Sequence, residues 1–202
     1  MIMGAWGMGR KRLPYDAEVE YLESTGEQWI DTGVVPTLYS KSEVVAKFTS
    51  ISSSQICGAY WEGTNNAFDV CGVANGSWFM RALTSGSPIP SGWTANTNKH
   101  TFVSDAQTNT MSVDGVSITR SAVAIGIPVS VYLFSRHERS TGSSVTYPCL
   151  MQIFRVKFWD NGTLVRDFIP VRIGTEGAMY DRVSSQLFRN QGAGAFVIGP
   201  DK

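Results

Sequence analysis

The sequence has no excess of charge of either sign and no long apolar run. Its 202 residues include 17 basic and 17 acidic side chains, so the formal net charge is zero. A net charge of zero gives no indication of the overall basic charge that attracts nucleic acid or an anionic membrane. No stretch reaches the roughly 18 consecutive apolar residues that a membrane-spanning helix requires. We therefore expect neither a nucleic-acid partner nor membrane insertion.

Cysteine and histidine are also scarce. The three cysteines, Cys57, Cys71 and Cys149, form neither a CxxC motif nor a Cys/His ligand pair. An odd number argues against a complete disulfide framework, so we predict buried free thiols, with a Cys57–Cys71 bond as the alternative. The two histidines, His100 and His137, are too few for a histidine-based metal site, and we expect them to form hydrogen bonds. The prediction is a protein with no metal and no cofactor.

Helical periodicity is nearly absent, and short strands take its place. Apolar residues make up 43% of the chain and charged residues 17%, with 20 glycines, a composition typical of turn-rich β proteins. Alternating segments separated by Gly, Asn, Ser and Pro predict about a dozen strands. Their number and spacing indicate an all-β fold, a two-sheet antiparallel sandwich or jelly roll. The polar segment 138–144 is predicted to be an exposed loop.

Three dipeptides predict tight hairpins, because Asn-Gly and Asp-Gly accept the positive φ angles of a type I′ turn. They are Asn75-Gly76, Asp114-Gly115 and Asn161-Gly162. In the last hairpin, a two-residue loop places Asp160 opposite Thr163, Trp159 opposite Leu164 and Phe158 opposite Val165. One side would then be apolar, with Phe154, Val156, Phe158, Val165 and Ile169, and the other basic, with Arg155, Lys157, Trp159 and Arg166.

The same register places Asp167 on the apolar side of this hairpin. A buried carboxylate requires a partner, because an unpaired buried charge is strongly destabilising. We predict a structural ion pair with Arg172 or Arg136, or hydrogen bonds from the backbone.

Tryptophans in turn-rich segments are the candidate ligand-binding residues. They are Trp61, Trp78 and Trp93, and Trp93 lies within the long loop 84–98. A saccharide offers an apolar face to an aromatic ring and polar edges to hydrogen-bonding groups. The alternative is that these rings belong to the core, since a sandwich of this size buries several tryptophans. Trp159 is expected to meet a neighbouring subunit or to carry Lys157 or Arg166 over its ring.

Residues 1–14 form an N-terminal arm ahead of a single domain at residues 15–202. The basic cluster of the arm follows its apolar part, which reverses the order found in a signal peptide. We predict that the arm docks the domain to another protein, through Trp6, Arg10, Lys11 and Arg12.

Several segments resemble those of a known group of domains. They are residues 19–33 near the start, the strand 101–103 followed by 110–116 with its Val-Asp-Gly motif, and 166–172, 179–181 and 194–201. These segments are similar to concanavalin A-like, laminin-G-type jelly rolls, in particular those of phage and prophage structural proteins of gut bacteria. The resemblance covers about residues 15–201, nearly the whole chain.

The resemblance implies a non-enzymatic virion or tail protein with a concanavalin A-like jelly-roll sandwich. Such a protein assembles in the bacterial host cytoplasm, and its rim loops contact host-surface carbohydrate. The implied partners are other capsid or tail proteins, host glycans and further copies of the chain.

Two alternative functions remain open. One is a purely architectural capsid-decoration or tail component. The other is a glycan hydrolase, because related glucanases carry paired carboxylates on one strand face, as Glu18 and Glu20 would be here; we favour a solvated strand face for both. Laminin-G-type domains also bind calcium at a loop rim, but the candidates, Asp69, Asp105 and Asp114, form no spaced cluster.

Overall fold

The computed structural model of the protein describes residues 13–85, 93–119, 126–139 and 143–202. All of the regular secondary structure in these ranges is β-strand, and no helix occurs in them. The strands form two sheets. The prediction of an all-β sandwich is thereby confirmed.

Nineteen strands occur in the described ranges. The first ten are β1 (Ala17–Glu18), β2 (Leu22–Thr25), β3 (Ile30–Asp31), β4 (Ser40–Phe48), β5 (Gln55–Trp61), β6 (Asn66–Ala74), β7 (Ser77–Trp78), β8 (Arg81–Ser85), β9 (Lys99–Asp105) and β10 (Thr110–Val113). The others are β11 (Val116–Thr119), β12 (Tyr132–Leu133), β13 (Arg136–Arg139), β14 (Ser143–Thr146), β15 (Leu150–Asp160), β16 (Thr163–Ile173), β17 (Glu176–Asp181), β18 (Gln186–Arg189) and β19 (Val197–Ile198).

The first sheet contains eleven strands and is entirely antiparallel. Its main order is β11-β10-β9-β4-β15-β16-β17-β18. The β15–β16 hairpin is paired from its turn back to Val156 and Phe168. Beyond that point β15 pairs with β2 and β16 pairs with β1. On its other edge β2 pairs with β19, and an isolated bridge joins Val19 to Asp201.

The second sheet contains eight strands around β5. This strand pairs with β6 and also with β12 and β13, while β13 continues to β14, β12 to β3, and β6 to β7 and β8. β13 runs parallel to β5, and the other pairs are antiparallel. The predicted loop at 138–144 is wrong at its two ends, because Glu138 lies in β13 and Ser144 in β14, where the Ser144 hydroxyl donates to the Glu138 carbonyl. Residues 140–142 lie outside the described residues.

The main core contains side chains from both sheets. Its largest fully buried members are Phe48, Phe68, Phe102, Phe134, Phe158 and Phe168. Along β4 buried and half-buried residues alternate from end to end, as expected for a strand with one face on the core. The two sheets therefore pack face to face.

The three predicted hairpin turns are confirmed. Positive φ angles occur at both residues of each, with 50° and 71° at Asn75 and Gly76, 51° and 82° at Asp114 and Gly115, and 47° and 76° at Asn161 and Gly162. The pairs Asp160–Thr163 and Trp159–Leu164 are also as predicted.

The register changes further along the Asn161-Gly162 hairpin. A bulge lies between Phe158 and Trp159, so Phe158 faces Arg166 and not Val165. A second irregularity lies between Ile153 and Arg155 in the pairing with β4. Because each bulge inverts the alternation of faces, Phe154 and Ile169 leave the main core. Ile169 joins a separate cluster on the opposite face, with Val171, Ala178 and Tyr180.

Candidate functional site

A pocket of about 310 Å³ opens on the second sheet. Ile56 and Tyr60 line it and alternate along β5 with Cys57 and Ala59, which belong to the main core. Since alternate residues of a strand point to opposite faces, the pocket lies on the outer face. We call it the arginine–tyrosine pocket, and its lining includes Tyr60, Asn65, Phe79, Arg81, Arg136 and Tyr147.

Two arginines and three aromatic rings alternate along this pocket. The Arg136 guanidinium carbon is 4.7 Å from the Tyr60 ring centroid and 4.2 Å from that of Tyr147. The Arg81 guanidinium carbon is 5.4 Å from the Tyr60 centroid and 5.1 Å from that of Phe79. All four distances lie within the range of a cation–π contact. The result is a continuous stack in the order Phe79, Arg81, Tyr60, Arg136, Tyr147.

Strand pairing brings these groups into one row across the sheet. Arg136 of β13 faces Gly58 of β5, Gly58 faces Asp69 of β6, and Asp69 faces Arg81 of β8. A Cβ atom on Gly58 would lie 2.5 Å from the Phe68 carbonyl oxygen and 2.9 Å from Asp69 Oδ1. Glycine is therefore required there, because a larger residue would overlap the backbone and the carboxylate that sits between the two arginines.

Each arginine of the row has a carboxylate partner. Arg81 Nε lies 2.5 Å from Asp69 Oδ2, and both residues are almost completely buried. Arg136 Nη2 donates to Glu138 Oε2 at 3.1 Å, and the same oxygen accepts from the Thr146 hydroxyl at 2.8 Å. The positive charges of Arg81 and Arg136 are therefore balanced by the negative charges of Asp69 and Glu138.

Two buried polar atoms of the row lack hydrogen-bond partners among the described residues. They are Arg136 Nε and Asp69 Oδ1. Folded proteins pair most buried polar groups, and an unpaired one costs about 1–3 kcal/mol. Both atoms are buried, so the missing hydrogen bonds are a local cost to stability within the row.

The rim of the pocket adds groups that can meet a ligand. Tyr147 is 39% exposed and has a φ of 53°, in the left-handed region. The Tyr60 hydroxyl donates to Asn65 Oδ1 at 2.9 Å, which leaves the Asn65 amide nitrogen to donate elsewhere. The arrangement combines ring surfaces, guanidinium and amide donors, and an accessible opening.

The predicted ligand-binding tryptophans do not form this site. Trp78 is 3% exposed and Trp93 is 8% exposed, and both belong to the main core. Trp61 is half-buried and packs against that core. Trp93 is held in place by β7, since its carbonyl accepts from the Trp78 backbone N–H. Because they are buried, Trp78 and Trp93 have no open ring face for a ligand. Their burial agrees with the alternative interpretation, in which these rings belong to the core.

Asp167 forms the predicted kind of contact with a different arginine. It is 8% exposed and accepts from Arg155 Nε and Nη2 at 2.9 and 2.8 Å. The predicted partners are wrong, because Arg172 pairs with Asp201 and Arg136 with Glu138. The bulge at Phe158 is the reason, since it places Asp167 opposite Lys157, away from the main core. The hydrogen bonds with Asp167 raise the pKa of Arg155.

Trp159 lines a second pocket, of about 330 Å³, beside the hairpin turn. The ammonium groups of Lys41 and Lys157 lie 5.7 and 5.6 Å from its ring centroid. The predicted contact with Lys157 is confirmed, whereas Arg166 lies over Phe188. Two lysines already occupy the ring surface that a saccharide would need.

The candidate acidic residues are engaged separately. Glu18 accepts from Tyr15 and Arg182, while Glu20 lies in a bend beyond β1 and is exposed. Asp69 pairs with Arg81, Asp105 accepts from the Gln107 and Thr108 backbone, and Asp114 accepts from Thr101 N. Although burial raises the pKa of Asp114, the bonds from Thr101 and His100 hold it below its usual value. No metal-binding group of three His, Cys, Asp or Glu residues occurs in the described ranges.

The histidines and cysteines behave as predicted. His100 contacts Asp114 Oδ2 and Asn96 Oδ1 at 2.6 and 2.9 Å. His137 Nδ1 bonds to the Ser130 carbonyl, and burial lowers its pKa. The three cysteines are free and buried.

The Asp69–Arg81 pair of the site was not predicted, although the sequence contains a signal for it. Asp69 interrupts an apolar strand, and a carboxylate there demands a buried cation. The next charged residue of opposite sign is Arg81, its actual partner. Tyr60 and Tyr147 carried no comparable signal, because exposed tyrosines are common in strands.

The arm residues Trp6, Arg10, Lys11 and Arg12 lie outside the described residues. The part of the chain that the structure covers has no helix with the length and hydrophobicity needed to span a membrane. No family model matches the sequence, and a search of the curated proteins finds no match.

Proposed function

We propose that this chain is a non-enzymatic carbohydrate-binding domain, and that it binds an uncharged saccharide in the arginine–tyrosine pocket. One observation carries the proposal. The Arg136 guanidinium lies between the Tyr60 and Tyr147 rings at the edge of an open 310 Å³ pocket, and the Tyr147 ring is exposed there.

The chemistry of the pocket suits a sugar ring. The exposed Tyr147 ring offers apolar surface to the C–H face of a pyranose, and the exposed Asn65 amide N–H groups can donate to its hydroxyls. The volume is at the lower end of the range for small-molecule sites, about 300–1,000 Å³, which suits one sugar residue of a longer chain. Because Asp69 and Glu138 balance Arg81 and Arg136, a neutral sugar keeps the pocket uncharged.

The biological setting rests on the sequence resemblance. It supports a concanavalin A-like jelly roll in a phage virion or tail protein, assembled in the bacterial cytoplasm alongside other virion proteins. Two antiparallel-rich sheets packed face to face are compatible with that topology. Host-surface glycan is the ligand source that this setting supplies, and several copies of the chain would add avidity.

The test is binding to a glycan array, followed by calorimetry with the best neutral oligosaccharide. Tyr147→Ala removes an exposed ring and keeps the Cβ, so the fold should persist. We expect a loss of affinity of about 5- to 150-fold, taking the roughly 1–3 kcal/mol that a nucleobase gains from stacking on an aromatic ring as the scale. Raising the salt concentration should change the affinity little, since the pocket is neutral.

Tyr39→Ala is the matched control. Tyr39 is 52% exposed and lines the second pocket, beside Trp159, so its removal should leave affinity unchanged. Loss of binding in Tyr39→Ala with retention in Tyr147→Ala would place the site at Trp159 and contradict the proposal. If the parent protein binds no glycan, the architectural function takes its place.

A further inference from the structure

We propose that Cys57 and Cys149 are a cross-linking site, and that oxidation joins them in a disulfide bond. Their sulfur atoms are 3.2 Å apart. A disulfide needs about 2.05 Å between the sulfurs, so an approach of roughly 1 Å suffices. Side-chain rotation can supply a movement of that size.

The two cysteines meet where the chain passes from one sheet to the other. Cys57 lies in β5 of the second sheet. Cys149 lies between β14 of the second sheet and β15 of the first, and its backbone N–H donates to the Phe134 carbonyl. Both are fully buried in the main core. A bond between them would therefore fix the connection between the sheets to β5.

Cys71 is the competing partner. It faces Cys57 across the β5–β6 pair, so a Cys57–Cys71 bond would connect neighbouring strands of one sheet. Cys57 hydrogen-bonds to both sulfurs, while burial by itself would raise the pKa of its thiol. The pairing with Cys149 is favoured because its sulfur, 3.2 Å away, makes the larger contribution to the lowered pKa of Cys57. Soft-metal binding is not supported, since the described residues contain no metal-binding group.

The reaction balances with a small-molecule disulfide such as oxidised glutathione as oxidant. The thiolate of one cysteine attacks the glutathione disulfide and releases one glutathione thiolate. The second cysteine thiolate then attacks the protein sulfur of the mixed disulfide and releases the other. Each released thiolate takes up the proton that a cysteine lost. Because burial raises the pKa of the Cys149 thiol, exchange proceeds when the core opens or before it closes.

The experiment uses the full chain, unfolded in urea and refolded in oxidised glutathione so that burial does not limit access. Free thiols are then counted in denaturant, and linked peptides are identified by mass spectrometry. We expect the count to fall from the three cysteines of the sequence to one, with Cys57 linked to Cys149. The oxidised protein should unfold at a higher temperature than the reduced protein, and a reductant should remove the difference.

Two variants separate the possible pairings. Cys71→Ala should still lose both of its thiols, whereas Cys149→Ala should keep both of its thiols. Three thiols remaining in the refolded parent protein would overturn the proposal, and so would a Cys57–Cys71 link. Peptide mapping of the parent protein keeps the test decisive if a variant fails to fold.

Discussion

Replacing Arg81 by methionine should destabilise the fold strongly. Arg81 is 5% exposed and Asp69 is fully buried, so the variant leaves a carboxylate in the interior without its cation. Removing one partner of a buried ion pair costs about 3–5 kcal/mol. Methionine preserves most of the aliphatic contact with Tyr60 and Phe79, so the loss reports chiefly on the charge. A loss of this size is a large part of the roughly 5–15 kcal/mol that stabilises a typical domain.

The assay is urea unfolding followed by tryptophan fluorescence, with a double variant as the internal check. Replacing Asp69 by leucine together with Arg81 by methionine should recover most of the lost stability, because exchanging a whole buried pair for apolar residues is often neutral. Arg189→Met is the control, since Arg189 pairs with Glu176 at an exposed site, where an ion pair contributes about 0–1 kcal/mol. If Arg81→Met is as mild as Arg189→Met, the account of the buried pair is refuted.

Two further predictions concern Gly58 and His137. Gly58→Ala should lower the free energy of unfolding by about 1–3 kcal/mol in urea titrations, because the new Cβ would lie 2.5 Å from the Phe68 carbonyl oxygen. Gly126→Ala is the control and should be nearly neutral, because there is open space around Gly126. Equal effects of the two substitutions would contradict the steric argument. Burial lowers the pKa of His137 below its usual 6.5, so below about pH 6.5 the unfolded chain binds a proton that the folded chain does not, and stability decreases as the pH falls. His137→Gln should reduce this decrease in melting temperature between about pH 7 and pH 5, and an unchanged slope would contradict it.

The parts of the fold that depend on local chemistry were predictable from the sequence. Asn-Gly and Asp-Gly turns need positive φ at two adjacent residues, a property of those residues themselves. The pairing next to each turn follows from the turn, as at Asp160 and Thr163. The bulge beyond Trp159 was not predictable, because β15 must also match β4 on its other side. One missed bulge was enough to assign Asp167 the wrong partners.

The site was less predictable because burial is decided by residues distant in sequence. Trp93 follows a segment rich in Gly, Ser and Pro, yet its contacts with β7 place it in the core. Conversely, Arg136 was considered only as a partner for Asp167. Its position beside Tyr60 depends on the parallel pairing of β13 with β5, and no local sequence pattern predicts that pairing.

The completion of the first sheet by β1, β2 and β19 has a consequence for synthesis. Glu23 of β2 pairs with Val197, and Val19 pairs with Asp201, so these residues acquire neighbours that are synthesised much later. Contacts of such long sequence separation slow folding, because a long loop must close before they form. While the ribosome is still adding residues 150–200, the backbone N–H and C=O groups of β2 lack their strand partners. We expect the nascent chain to be most prone to strand-edge aggregation at that stage.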